Sequence, residues 1–236
     1  MSQSFSLVDP LAVADLQTYL SRAARVEEGS VRLIAGSGVL AVYTAILYPR
    51  GLLDQTPTVL GLRTFATRAD VEFDAVVPIR SLLDRLARVR EQAEAEGESA
   101  GEGSGAASGP VEVRLPLEVS TVTWAGISPP RGGWRRVGDA EYDLLAATAK
   151  AGIAEVAEAV PEGLGEQLVQ RVRAEVWGRP IEGLEWVPAG AAFAAESLGF
   201  LDPAEPVTLH ETGPWTRMTT RRGHTLIRRQ AWTLRR

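Results

Sequence analysis

The sequence has no cysteine and no asparagine, a single lysine, Lys150, and two histidines, His210 and His224. Without thiols there are no disulfide frameworks, thiolate nucleophiles, iron–sulfur clusters or thiolate zinc sites, and the chain fits a reducing compartment. One lysine leaves little room for Schiff-base chemistry or a P-loop. A Ser–His–Asp arrangement would need one of the two histidines. No G-x-S-x-G elbow accompanies them, and Gly103-Ser104-Gly105 lies in a low-complexity stretch. No H-E-x-x-H spacing supports a metal site either. Each histidine is therefore read as a surface or structural residue.

Long apolar runs are missing too. The longest, Val39 to Leu47, falls far short of the roughly 20 residues that span a bilayer. Met1-Ser2-Gln3-Ser4-Phe5-Ser6 has neither the basic nor the apolar region of a signal peptide. The expectation is a soluble, cytoplasmic protein with no membrane contact. A chain of 236 residues with 45% apolar composition can bury a substantial core as one or two compact units.

What the chain does have is arginine, and its charge is segregated. From Thr212 onward there are seven arginines and no acid; the chain sums to −5, so the remainder carries −12. Such segregation asks for a partner, either the protein's own acidic surface or an external polyanion. A G+C-rich genome also favours arginine, so the residue type by itself does not indicate phosphate binding.

Asp9-Pro10 reads as an N-cap and first helical residue, followed by Val13, Leu16, Leu20 and Ala23 at helical spacing. Val31–Ala35 and Val39–Leu47 read as strands joined at Gly36-Ser37-Gly38, and Val59–Thr67 and Val71–Val77 as two more. The glycine pair also invites a dinucleotide reading, but the third glycine is missing and a strand follows, so a hairpin turn explains it better. After Pro78 a helix carries Ile79, Leu82, Leu83, Leu86 and Val89 on one stripe. Residues 96–110 are Gly, Ser, Glu and Ala, a composition that cannot offset the entropy of ordering and predicts a flexible linker or loop. Beyond it, Val111, Val113 and Leu115 alternate, and Thr121–Ile127 reads as a strand. Pro129–Arg136 is a loop, and Asp139 caps a helix carrying Tyr142, Leu145, Ala149, Ile153, Val156 and Val160. Helices around Leu164–Val176 and Pro188–Leu198 follow, then a strand over Pro206–His210 and an arginine-rich hairpin. No internal repeat is apparent.

The predicted fold class is α+β. It comprises an N-terminal helix/four-strand/helix unit over 1–95, the 96–110 linker, and a C-terminal unit over 111–236 with short strands and about three helices. The segments Val119-Ser120-Thr121-Val122-Thr123-Trp124, Pro129-Pro130-Arg131-Gly132-Gly133-Trp134, Glu175-Val176-Trp177-Gly178-Arg179-Pro180 and Gly213-Pro214-Trp215-Thr216-Arg217 resemble a family of uncharacterised actinobacterial proteins. That resemblance implies a high-G+C bacterial source and a cytoplasmic location, and carries over no site residue. The first half, through Val76–Leu86, is distantly similar to one repeat unit of a DNA sliding clamp. The three consecutive helices of the second half depart from that pattern.

Two regions offer binding chemistry. In the Pro129–Arg136 loop, Arg131, Arg135 and Arg136 supply forked donors and Trp134 an aromatic face. A rigid loop with its tryptophan tucked into the core is the plainer reading. Asp139, Glu141 and Asp143 are read as helix-start acids rather than a carboxylate cluster. In the terminal hairpin, Trp215, Arg217, Arg221, Arg222, His224, Arg228 and Arg229 could track a phosphate backbone. Self-neutralisation or edge protection is the plainer reading. No catalytic residue, cofactor or metal is assigned. The expectation is a non-catalytic interaction protein using this arginine-rich surface, with a protein or a second copy as partner. The alternatives are nucleic-acid binding through the same arginines and an enzyme with an unrecognised carboxylate/arginine site.

Overall fold

The computed structural model describes residues 3–51, 54–99, 109–119, 122–160 and 165–228. The chain forms two compact units, one of Met1–Thr44 with Arg63–Ala125, the other of Ala45–Leu62 with Gly126–Arg236.

The first unit contains β1 (Ser4–Leu7), α1 (Pro10–Val26), β2 (Ser30–Gly36) and most of β3 (Val39–Leu47). It continues with the end of β4 (Thr58–Ala66), then β5 (Phe73–Pro78), α2 (Ile79–Ser99) and β6 (Val111–Arg114). Asp9 caps α1 by accepting a hydrogen bond from the Ala12 N–H at 2.7 Å, and Pro10, which needs no such bond, occupies the first helical position. Strand alternation sends Val31, Leu33 and Ala35 to a buried face beside Leu40, Val42, Ala75 and Val77. Over this face α1 buries Leu16, Tyr19, Leu20 and Ala23, and the Tyr19 hydroxyl meets the Thr44 hydroxyl at 2.8 Å. The hairpin turn at Ser37-Gly38 has positive φ at both residues, 53° and 81°, which suits the right-handed twist of its strands. On the other face of β2, Arg32 holds Asp74 through two bonds of 2.8 and 2.6 Å and donates to the Ala125 carbonyl at 2.6 Å.

The second unit contains β7 (Arg135–Ala140), α3 (Tyr142–Ala159), α4 (Glu166–Gly178), β8 (Pro180–Ile181), β9 (Leu184–Pro188) and α5 (Ala189–Ser197). It ends in the meander β10 (Val207–Thr212), β11 (Trp215–Thr219) and β12 (His224–Arg228). Its strand order is β7–β10–β11–β12, with β12 paired to Thr58–Leu62 of β4. The helical layer is centred on Trp177, 2% exposed and stacked on Phe193 at 4.2 Å. Gly152 of α3 gives the indole its space, since a Cβ there would lie 2.2 Å from the ring.

The two units share a pattern that the sequence does not display. In the first, β5–β2–β3–β4 is an edge strand followed by a meander, and the edge strand leads straight into α2. In the second, β7 is the edge strand, β10–β11–β12 the meander, and β7 leads into α3. The extra helices lie between α3 and β10 as an insertion.

Several expectations need correcting. Residues 123–126 form a 3-10 turn with Trp124 buried, in place of the expected strand; Thr121 lies outside the described residues. Asp139 is a strand residue and does not cap a helix: α3 begins at Tyr142 behind Glu141, which makes no side-chain cap bond. Alternation at Val111–Leu115 does mark a strand, but β6 pairs with β1 in the first unit. The short β8–β9 hairpin, turning through Gly183 at φ 81°, escaped notice because Pro180 reads only as a helix stop. The predicted linker falls mainly on residues 100–108, outside the description, and α2 runs to Ser99.

The packing of Gly152 supplies a test. Helix propensity favours alanine over glycine by about 0.5–1 kcal/mol, whereas overpacking a filled core costs about 1–3 kcal/mol. Gly152→Ala is therefore expected to lower the denaturant midpoint. Gly132→Ala, whose added Cβ meets nothing within 4 Å, should leave it unchanged. Equal midpoints for the two variants would contradict the Trp177 packing.

Candidate functional site

The meander of the second unit has two unlike faces. Val207, Leu209, Met218 and Ile227 point to one side and are buried. The opposite face is set by register: Thr208 opposes Thr219 and Thr219 opposes His224, while His210 opposes Arg217. His210, Arg217 and His224 thus share one face, with His224 diagonal to Arg217.

A bulge in β7 extends this polar stripe. Residues three apart on a regular strand face opposite ways. The register of β10 on β7 slips between Leu209 and His210, so that Thr208 opposes Asp139 while His210 opposes Arg136. Arg136 and Asp139 are thereby brought to the same face, where the guanidinium donates to both carboxylate oxygens at 2.8 and 2.5 Å.

The loop before β7 covers part of this face. Trp134 donates its indole N–H to the Pro130 carbonyl at 3.1 Å, and the Arg217 guanidinium lies over its ring, 4.6 Å from the centroid. Trp134 thus stacks on a residue of its own chain. Arg217 Nε and His210 Nδ1 are buried, and neither has a hydrogen-bond partner among the described residues. His224 Nδ1 lies 3.1 Å from the Thr219 hydroxyl.

These surroundings disfavour charge on the rings. Burial, then the Arg217 guanidinium, then His210 push His224 down to about 4 from an ordinary 6.5. Burial, Arg217 and Arg136 also lower His210, partly opposed by a hydrogen bond to the Thr208 backbone and by Asp139. Burial alone pulls Arg217 down.

The remaining predicted residues are scattered. Arg221 pairs with Glu205 at 2.6 Å and Arg222 with Asp202 at 2.8 Å, so the β11–β12 turn is neutralised within the unit. Trp215, expected to stack on a ligand, is 3% exposed and belongs to the core. Arg131, Arg135 and Arg228 are exposed, Arg228 opposite Trp215 on the same sheet face as Arg217, and Arg229 lies outside the described residues. His210, read from sequence as structural, joins the cluster; only its register to Arg217 reveals this.

With two histidines in the chain, ring NMR signals are directly separable. His224 is expected to stay neutral at pH 5 and to titrate near 4. The unfolded chain takes up a proton there that the folded protein refuses. Stability should consequently fall as pH drops from 6.5 toward 4, with this contribution complete below that range and absent above it. His224→Gln should flatten that part of the pH–stability curve. A His224 ring titrating at 6.5 would contradict the burial described.

Two family descriptions match separate parts of the chain. Residues 1–103 match a domain of unknown function, DUF8010, and residues 129–232 match another, DUF8185. No curated protein matches the sequence. Among solved structures, the chain is similar to Caulobacter crescentus pol III beta, at 12% identity with a TM-score of 0.50, over 96% of this chain and 65% of that one. A second structure, the DNA polymerase sliding clamp from Caulobacter crescentus, gives 13% identity and a TM-score of 0.49, over 98% and 67%. The chain thus spans about two thirds of the clamp's length. The likeness to pol III beta overturns the expectation of a non-catalytic cytoplasmic interaction protein working through an arginine-rich C-terminal surface. With it go both alternatives, nucleic-acid binding through those arginines and an enzyme with an unrecognised carboxylate/arginine site. The fold is that of a DNA polymerase sliding clamp.

Proposed function

We propose that this chain is a clamp-fold scaffold that serves DNA replication by holding protein partners. The observation that supports this reading is the likeness to Caulobacter crescentus pol III beta over 96% of the chain. A fold does not fix a function, so the surface chemistry decides which kind of clamp-like role suits it.

That chemistry argues for protein partners. The five helices carry nine basic against twelve acidic residues. Affinity for a nucleic-acid backbone comes mostly from clustered Lys and Arg that release counterions. These helices have no such excess, and the whole chain has a pI near 5.3. The basic turn at Arg221 and Arg222 is matched by Glu205 and Asp202. Among the described residues no helix is long and apolar enough to cross a membrane.

The test is made in the native cell with a fluorescent fusion and formaldehyde cross-linking. The scaffold reading expects discrete foci that disappear when replication initiation is blocked, and recovery of DNA polymerase III subunits with the cross-linked protein. A diffuse signal indifferent to the block, with no polymerase subunit recovered, would contradict it.

A further inference from the structure

We infer that β7 is an interface strand, whose free edge pairs antiparallel with β7 of a second copy of this chain about a two-fold axis. This goes beyond the scaffold reading and does not depend on it.

The first observation is an open edge. β7 is the terminal strand of its sheet, with β10 on its inner side. Alternate residues of such a strand turn their N–H and C=O groups outward. Among the described residues, β10 alone bonds to the backbone of β7. The other terminal strand differs. The Val119 N–H donates to the Val76 carbonyl of β5 at 2.8 Å, so the chain itself meets that edge. On β7, Arg135, Arg136 and Asp139 are exposed and Val137 and Gly138 half-buried, so solvent reaches the free edge.

The second observation is the order of charges along this edge. Arg131, Arg135 and Arg136 come first, and Asp139, Glu141 and Asp143 follow. Arg136 and Asp139 satisfy each other within the unit. Arg131, Arg135, Glu141 and Asp143 are exposed, and none of them joins an ion pair among the described residues. Glu211 stands opposite Arg135 on β10 without forming one. The edge thus has a basic end and an acidic end, each with charge left unmatched.

That order selects both the partner and its orientation. A charged edge with a bulge ordinarily discourages strand addition. Parallel approach of two such edges would set arginine against arginine and carboxylate against carboxylate. Antiparallel approach sets the basic end of each strand beside the acidic end of the other, and two-fold symmetry makes every favourable contact twice. Such a pair is closed, because neither copy has a second β7 to offer. The bulge between Gly138 and Arg136 confines the regular ladder to a short stretch. The dimer is therefore weak and directed by charge.

The experiment is sedimentation equilibrium of the full chain at concentrations up to several hundred micromolar, at low and high salt. The expected result is a monomer–dimer equilibrium that salt shifts toward monomer. Two double variants reverse the two ends separately: Arg131→Glu with Arg135→Glu, and Glu141→Arg with Asp143→Arg. Each should raise the dissociation constant roughly tenfold or more, since each reversal acts twice across the axis. Mixing the two variants in equal amounts should restore dimers of mixed composition. Hydrogen exchange of the β7 amides should slow as the wild-type protein dimerises. If one double variant does not fold by circular dichroism, the other variant and the β7 exchange decide the matter. A chain that stays monomeric throughout would overturn the inference. So would a dimer that ignores the charge reversals, or an assembly larger than two, which a closed β7 pair cannot build.

Discussion

The second unit depends on one constraint: successive residues of a strand face opposite ways, and hydrogen-bond register ties that alternation across β7, β10, β11 and β12. One face is thereby committed to Val207, Leu209, Met218 and Ile227, which bury together. The other receives His210, Arg217, His224 and Thr219, together with the buried Trp215 and Leu226. A slip of one residue in β11 would exchange Arg217 for Met218 and put a guanidinium in the core. Such a cost pins the register. The bulge in β7 is the single departure, and its effect is local. It brings Arg136 and Asp139 to one side, where they neutralise each other next to His210.

Local signals in the sequence were reliable where local chemistry decides the structure. Asp9-Pro10 starts α1, Ser37-Gly38 turns the hairpin, and α2 follows directly on Pro78. They misled where a distant partner decides. Asp139 has the makings of a helix cap, but pairing with β10 draws it into a strand. The pairing of β1 with β6, more than a hundred residues apart in sequence, leaves no trace in periodicity. Trp134, Arg217 and His224 could each be named from residue type, yet nothing in the sequence says that the first stacks on the second or that His210 stands opposite it.

The same distinction applies to the clamp likeness. The first half shows it in its order of helix and paired strands, and three consecutive helices seemed to deny it to the second. In the structure α4, β8, β9 and α5 are an insertion between α3 and the β10–β12 meander. Without them, the second unit repeats the edge-strand, helix and meander pattern of the first. Composition is a poor guide here because an insertion breaks the sequence order while leaving the sheet intact.

Charge separates this protein from the simplest reading of its fold. Its helices are more acidic than basic, and the turn arginines are matched by Glu205 and Asp202. The scaffold proposed above holds protein partners and needs no electrostatic grip on DNA. Fluorescence anisotropy of a labelled DNA duplex, at low and near-physiological salt, tests this most directly. The account predicts no saturable binding at either salt concentration, even at protein concentrations of about 100 μM, the upper end of ordinary non-specific affinity. Micromolar binding that weakens steeply with salt would contradict it.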